Sequence, residues 1–149
     1  MKKMNLLLGM GALLAALLSA GAFAQERNYI NPRMAGGEGP PFSGAVQVGD
    51  TLYISGMLGL QNGQVPTDPR TEARIMLDSI KSTVEAAGFT MDDIVNVTIY
   101  CSDVSHYDAF NEVYRTYFTR EYPARAFIGA GTLLFNARFE MQSIAVKRR

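Results

Sequence analysis

Hydrophobic and polar positions follow a helical period between residues 69 and 87. Apolar side chains recur there every three or four residues, which predicts one amphipathic helix with a buried stripe. Asp68 and Pro69 suit the start of that helix, and Gly88 suits its end. The apolar positions of the stripe are Ala73, Leu77, Ile80, Val84 and Ala87.

The period changes to two at residues 94–101, which predicts a strand with one buried face. The inward positions would be Val95, Val97, Ile99 and Cys101. A second helix is predicted to begin near Ser105, with Asp108 completing a capping box, and to end before Pro123. Its apolar positions are Phe110, Val113, Tyr114, Tyr117 and Phe118.

Four further strands are predicted at residues 42–48, 51–56, 124–130 and 137–147, with a loop over residues 57–67. The order of elements indicates an α+β domain with a mostly antiparallel sheet, covered on one face by the two helices. Tyrosines, glycines and Met57 on the strands suggest that another subunit covers the opposite face.

The chain begins with two lysines and an apolar run that closes on Ala22-Phe23-Ala24, which is typical of a signal peptide. We expect cleavage before Gln25 and a periplasmic or secreted protein. An uncleaved anchor is the alternative, because residues 6–24 are nearly long enough to span a bilayer. The predicted organisation is a signal peptide (1–24), an irregular glycine- and proline-rich arm (25–41) and one domain (42–149).

Charge and composition exclude several classes of function. Removal of Lys2 and Lys3 leaves 14 − 2 = 12 basic residues against 14 acidic ones, a net charge near −2 that argues against nucleic acid as a partner. One cysteine and one histidine make an internal disulfide, a zinc site or a Cys-His couple improbable. We therefore expect no metal, and no membrane association once the signal peptide is removed.

Arg125 is the candidate functional residue, because its neighbours from Ala124 to Ala130 are apolar or glycine. A buried guanidinium needs an anionic partner, a wet cavity or a ligand. If the last two strands formed a hairpin, Arg125 would face Gln142, and Glu140 would be its diagonal neighbour on the same face. Either the two residues form a structural ion pair, or Arg125 binds a ligand carboxylate while Glu140 transfers protons.

Four stretches closely resemble the RidA (YjgF, L-PSP) family of reactive-intermediate deaminases. They are GPPFSGAVQVGDTLYISGMLGL, the segment from SIKSTVEAAGFTMDDIVNV to YRTYF, and YPARAFIGAG with FEMQSIAV. The resemblance implies a chorismate-mutase-like fold and a homotrimer with active sites between subunits. It also implies cofactor-free hydrolysis of enamines and 2-imino acids to 2-keto acids and ammonia.

The resemblance assigns roles to individual residues. It implies that Arg125 binds the substrate carboxylate and that Glu140 positions or activates water. Gly56, Asn111 and Tyr114 match positions that line the cleft.

The sequence departs from the family at four positions. Phe42 stands where a tyrosine is usual, Phe127 where a cysteine is frequent, Gln142 where a second acid is common, and Met57 where glutamine is common. We expect Phe42 and Phe127 to make the pocket more apolar and to favour larger imino acids. The main alternative function is a non-catalytic trimeric module that binds small carboxylates, and a ribonuclease is the second.

Overall fold

The computed structural model describes residues 25–32 and 36–148, so the predicted signal peptide lies outside the described part of the chain. The described part contains six strands, two α-helices and four short 3-10 turns. The strands are Arg27–Ile30 (β1), Ala45–Val48 (β2), Thr51–Leu58 (β3), Ile94–Cys101 (β4), Ala124–Gly129 (β5) and Phe139–Val146 (β6). The helices are Pro69–Ala86 (α1), between β3 and β4, and Tyr107–Tyr114 (α2), between β4 and β5. The predicted α+β fold with two helices is confirmed.

Helix α1 begins and ends where the sequence indicates. A side-chain oxygen of Asp68 accepts a hydrogen bond from the backbone N–H of Arg70 at 3.1 Å, with Pro69 in the first turn. Gly88 follows the last turn in a left-handed conformation, at φ 75°. The apolar stripe packs fully buried against the sheet, with Ala73, Leu77, Ile80 and Val84 at 0% exposure.

The strands form one sheet in the order β1-β2-β3-β6-β4-β5, and every neighbouring pair is antiparallel except β4 with β5. One face carries the core under the helices, where β6 alternates buried and more exposed residues. The face without helices exposes large apolar side chains, among them Tyr29, Tyr53, Ile128 and Val146.

The predicted hairpin between the last two strands is wrong. β5 pairs parallel with β4, so that Arg125 lies beside Val97, and β6 lies between β3 and β4. α2 returns the chain to the end of the sheet where β4 began, and such a crossover produces a parallel neighbour. β6 buries alternate residues and suits a central position, whereas no residue of β5 is fully buried and β5 is the edge strand.

Three smaller predictions also need correction. The arm predicted to be irregular contains β1, which pairs with β2. Val95 is 47% exposed because β4 has a register shift between Ile94 and Asn96, so the predicted alternation holds only from Val97 onward. The turn before α2 is capped by Asp103, which accepts from the N–H of Ser105 at 2.9 Å, rather than by the predicted capping box.

A buried carboxylate fixes the start of β6, close to Glu140. Glu72 of α1 is 0% exposed, and its Oε1 accepts hydrogen bonds from the backbone N–H groups of Arg138 at 2.6 Å and Phe139 at 3.2 Å. Its Oε2 pairs with Arg138 Nη1 at 2.7 Å. This pair ties β6 to α1. In the described residues, no helix is long and apolar enough to cross a membrane.

Candidate functional site

Arg125 is held by two side chains of α2. Its Nη1 donates a hydrogen bond to Asn111 Oδ1 at 2.8 Å, and its Nη2 donates to the hydroxyl of Tyr107 at 3.3 Å. Tyr107 and Asn111 are four residues apart, so they project from the same side of the helix. A guanidinium has five N–H groups, so these two bonds orient Arg125 and leave N–H groups for a ligand.

Aromatic rings surround the guanidinium. Its Cζ lies 4.8 Å from the ring centroid of Tyr114, 5.7 Å from that of Tyr107 and 5.8 Å from that of Phe127. Such contacts stabilise a cation without neutralising it. No carboxylate of the described residues lies within 4.0 Å of Arg125, so the predicted ion pair with Glu140 does not form within the chain.

A cavity of about 240 Å³ opens beside Arg125, and we call it the arginine pocket. Its lining consists of Asn111, Tyr114, Arg115, Tyr122, Pro123 and Arg125. The hydroxyl of Tyr114 is buried without a hydrogen-bond partner in the described residues. Burial raises the pKa of Tyr114 to about 12, so the phenol is a neutral donor at physiological pH. The pocket therefore offers a cation, which suits a carboxylate.

Glu140 lies in a different and larger cavity of about 680 Å³, which we call the glutamate pocket. Its lining consists of Pro40, Pro41, Phe42, Ser55, Gly56, Leu58, Leu134, Phe135, Glu140 and Gln142. Glu140 is partly buried, and its carboxylate makes no hydrogen bond or ion pair with the described residues. An uncommitted carboxylate in a mostly apolar cavity is suited to hold a water molecule or transfer a proton.

Gly56 permits the position of Glu140. A Cβ at Gly56 would lie 2.2 Å from Glu140 Oε1, far inside van der Waals contact. Gly56 belongs to an irregular step of β3, where the pairing with β6 shifts between Ile54 and Met57. The bulge and the missing side chain together leave room for the carboxylate beside the strand.

Arg125 and Glu140 lie on opposite faces of the sheet. Arg125 pairs with Val97, whose side chain is in the core, whereas Glu140 pairs with Tyr100 on the face without helices. Tyr100 in turn pairs with Ile128, so Glu140 is two strands and three residues away from Arg125. Standard strand dimensions put the two Cα atoms about 14 Å apart. The predicted placement of both residues on one face is therefore wrong.

The predicted site residues thus divide between the two pockets. Asn111, Tyr114 and Arg125 come together in the arginine pocket, and Phe42, Gly56 and Glu140 come together in the glutamate pocket. Phe127 lines neither cavity. Its ring packs edge-on against Tyr107 at 5.0 Å and Phe110 at 5.5 Å, and it supports Arg125 from the side.

Several residues of the site were missed by sequence reasoning. Tyr107 could have been found, because it continues the helical spacing of Asn111 and Tyr114 on the same side of α2. Leu134 and Phe135 had no such signal, because they lie in a short turn between β5 and β6. Within the described residues, no cluster of His, Cys, Asp or Glu is arranged to hold a metal ion.

Comparison with known proteins identifies relatives over most of the described chain. A family model described as Endoribonuclease L-PSP matches residues 37–147. A 2-iminobutanoate/2-iminopropanoate deaminase of Dermatophagoides farinae is 39% identical over 109 residues, which covers 71% of this chain and 85% of that protein. The protein of the same name from Mus musculus is 38% identical over 110 residues, covering 72% and 82% of the two chains.

A solved structure supports the same relationship. The crystal structure of Escherichia coli TdcF with bound serine has a TM-score of 0.70 to this chain at 30% identity. The match covers 75% of this chain and 92% of that one. With the family model spanning residues 37–147, the chain belongs to the L-PSP family, also called the RidA or YjgF family.

Proposed function

We propose that this protein hydrolyses 2-imino acids, and the enamines that tautomerise to them, to 2-keto acids and ammonia. The observation that carries the proposal is the arginine pocket, where Arg125 is oriented by hydrogen bonds but has no carboxylate partner in the described residues. The relatives named as 2-iminobutanoate/2-iminopropanoate deaminases supply the reaction class.

The active site of this proposal forms between two subunits of a homotrimer. Arg125 and Glu140 face away from each other within one chain, so a single small substrate reaches both only if they belong to different subunits. The apolar side chains exposed on the face without helices, including Tyr53 and Val146, suit burial against another copy. Three identical sites would then follow from the cyclic symmetry.

The chemical steps need only the residues of the two pockets. Arg125 binds the carboxylate of the substrate through two parallel hydrogen bonds and withdraws electron density from the adjacent C=N bond. Glu140 takes a proton from water while the water oxygen bonds to the imine carbon, and it then gives that proton to the nitrogen, which has gained the electron pair of the C=N π bond. In the resulting tetrahedral adduct Glu140 takes the hydroxyl proton and passes it to the nitrogen, so that the C–N bond breaks as the C=O bond forms, ammonia leaves, and Glu140 is again ionised.

A ribonuclease function has less physical support. The sequence has one histidine, and the ring of His106 packs against Phe139 at 6.2 Å. His106 lines neither the arginine pocket nor the glutamate pocket. Acid-base cleavage of RNA would therefore lack its usual pair of imidazoles in both cavities.

The test measures hydrolysis of imines that an amino-acid oxidase produces in situ. Semicarbazide traps the imine as a semicarbazone, so hydrolysis by the protein is detected as a decrease in semicarbazone formation. We expect wild-type protein to reduce semicarbazone formation, and Arg125→Ala to lower kcat/KM on the order of 10²–10³-fold through loss of the charge-assisted pair. Glu140→Gln keeps the shape of the pocket and removes the proton acceptor. Arg74→Ala, at an exposed position on α1, is the matched control.

Saturable binding of a 2-keto acid without any hydrolysis would instead support the non-catalytic module.

The location of this activity is part of the proposal. The lysines and apolar run of residues 1–24 support export, which would place the enzyme in the periplasm or outside the cell. Intact-mass measurement of protein from a native host should give a chain that begins at Gln25. A chain that retains Met1 would contradict the cleavage, although it would leave the deaminase proposal untouched.

A further inference from the structure

The wall of the glutamate pocket is formed by exposed apolar side chains. Phe42 is 53% exposed, Leu134 is 69% exposed and Phe135 is 66% exposed, and all three line the cavity around Glu140. On the basis of the proposed deaminase function, we propose that this wall selects 2-imino acids with a bulky apolar side chain, aromatic or branched. The imines of phenylalanine and leucine belong to this class, and the imine of alanine does not.

The size of the glutamate pocket supports a large substituent. Within one chain the cavity holds about 680 Å³, compared with about 240 Å³ for the arginine pocket. A methyl group would leave most of the apolar wall in contact with water. A phenyl or isobutyl group would cover that wall and would remove its own apolar surface from water, so binding would favour the larger group.

The backbone at Phe135 is strained in a way that holds its ring at the cavity. Phe135 has φ 57° and ψ 19°, which is the left-handed region. The other non-glycine residues with positive φ in the described part of the chain are Asn31, Asn62 and Asn136, and asparagine tolerates that conformation. A bulky aromatic residue does not, and such strain persists at sites where function requires the position of a side chain.

The polar groups among these apolar side chains indicate that the space around Glu140 itself is left for a small molecule, within a site that the proposed function places between two subunits. Glu140 lines the cavity without a partner in the described residues, and Ser55 and Gln142 also line it. Protein packed directly against Glu140 would remove water from an unpaired carboxylate, which is costly. An apolar cavity with a few polar groups is instead typical of a substrate site.

The test compares ligands of different size on purified wild-type protein. Calorimetry gives the affinities of pyruvate, 4-methyl-2-oxopentanoate and phenylpyruvate, and the semicarbazide assay gives kcat/KM for the three corresponding imines. We expect phenylpyruvate to bind, and its imine to react, at least about tenfold better than the pyruvate pair, which is within the range for apolar substituents in a pocket.

Phe135→Asn tests the wall itself. Asparagine accepts a left-handed backbone, so the variant should fold, and its preference for phenylpyruvate over pyruvate should fall about threefold or more, with Phe42 and Leu134 retaining the rest. Val95→Ala is the control, because Val95 is also an exposed apolar residue but lines neither pocket. Gel filtration of both variants reports the oligomeric state.

The outcomes separate this inference from the function on which it rests. A preference for phenylpyruvate in binding, without hydrolysis of any imine, would support the selective wall and reject the deaminase. Hydrolysis that is fastest for the imine of alanine would support the deaminase and overturn the selection. Dissociation of the Phe135→Asn oligomer with an unchanged preference would also overturn it, because the wall would then be a subunit contact.

Discussion

Gly56→Ala is the sharpest single test of the position of Glu140. A Cβ at residue 56 would lie 2.2 Å from Glu140 Oε1. Carbon and oxygen atoms in contact are about 3.3 Å apart, so the carboxylate has to move by about 1 Å. Gly56 is not among the residues with positive φ, and alanine therefore adds no backbone strain of that kind.

We expect Gly56→Ala to lower the rate of hydrolysis and to leave the free energy of unfolding almost unchanged. A displacement of about 1 Å in a catalytic group lowers the rate about 10²-fold, which corresponds to about 2.7 kcal/mol of activation free energy. The free energy of unfolding should change by no more than about 0.5 kcal/mol, because the displaced atom is the end of a flexible side chain.

Two measurements on the same preparation check this prediction. Steady-state hydrolysis of the phenylalanine imine gives kcat/KM, and urea denaturation gives the free energy of unfolding. Gly131→Ala is the matched control, since a Cβ at residue 131 would meet nothing within 4 Å. An unchanged kcat/KM for Gly56→Ala, or an equal loss in the control, would refute the reasoning about the carboxylate.

Four further predictions concern buried groups. Tyr114→Phe should not lower the free energy of unfolding measured by urea denaturation, because the hydroxyl that it removes is buried without a partner in the described residues. A loss of more than about 1 kcal/mol would contradict this reading of the hydroxyl. Because burial raises the pKa of Tyr114 to about 12, wild-type activity should show no loss from ionisation of this phenol between pH 7 and 10, roughly two units or more below that pKa. Glu72→Gln should lower the free energy of unfolding by about 3 kcal/mol by leaving Arg138 without its buried counter-ion, and a change under about 0.5 kcal/mol would contradict the role of this pair. Cys101 is buried, and burial raises the pKa of its thiol, so a thiol reagent should label native protein far more slowly than protein in urea; equal rates would contradict its burial.

Local patterns predicted the individual elements well. Asp68, Pro69 and Gly88 marked both ends of α1, and the structure confirms them. Period-two alternation found β4 from Val97 onward. These signals succeed because caps, helical stripes and strand faces depend on residues close together in the sequence.

Strand pairing was not predictable in the same way. The short connection between β5 and β6 suggested a hairpin, but the pairing of β5 is decided by the crossover through α2 and by the burial of β6. Both are properties of the whole sheet. The left-handed conformation of Phe135 was equally hidden, because nothing in its own residue type favours it.

The arginine pocket and the glutamate pocket differed in how far the sequence predicted their arrangement, again because strand pairing depends on the whole sheet. Asn111 and Tyr114 were assigned to the cleft by the family resemblance, and both lie on the side of α2 that faces Arg125. The relation of Glu140 to Arg125 depended on the wrong hairpin, and the structure places the two residues on opposite faces. The sequence pattern identified both residues as candidates. The distance between them depends on the order of the strands in the sheet, which the pattern did not give.

Mixing two inactive variants tests most directly whether the site is shared between subunits. Arg125→Ala and Glu140→Gln chains are unfolded together in equal amounts and refolded, and native mass spectrometry reports the oligomeric state and whether both chains are present in each oligomer. In a cyclic trimer, one interface in four unites an intact Arg125 with an intact Glu140, so imine hydrolysis should recover to about a quarter of the wild-type value. Mixed trimers with no more activity than the two variants alone would contradict a site built from both subunits.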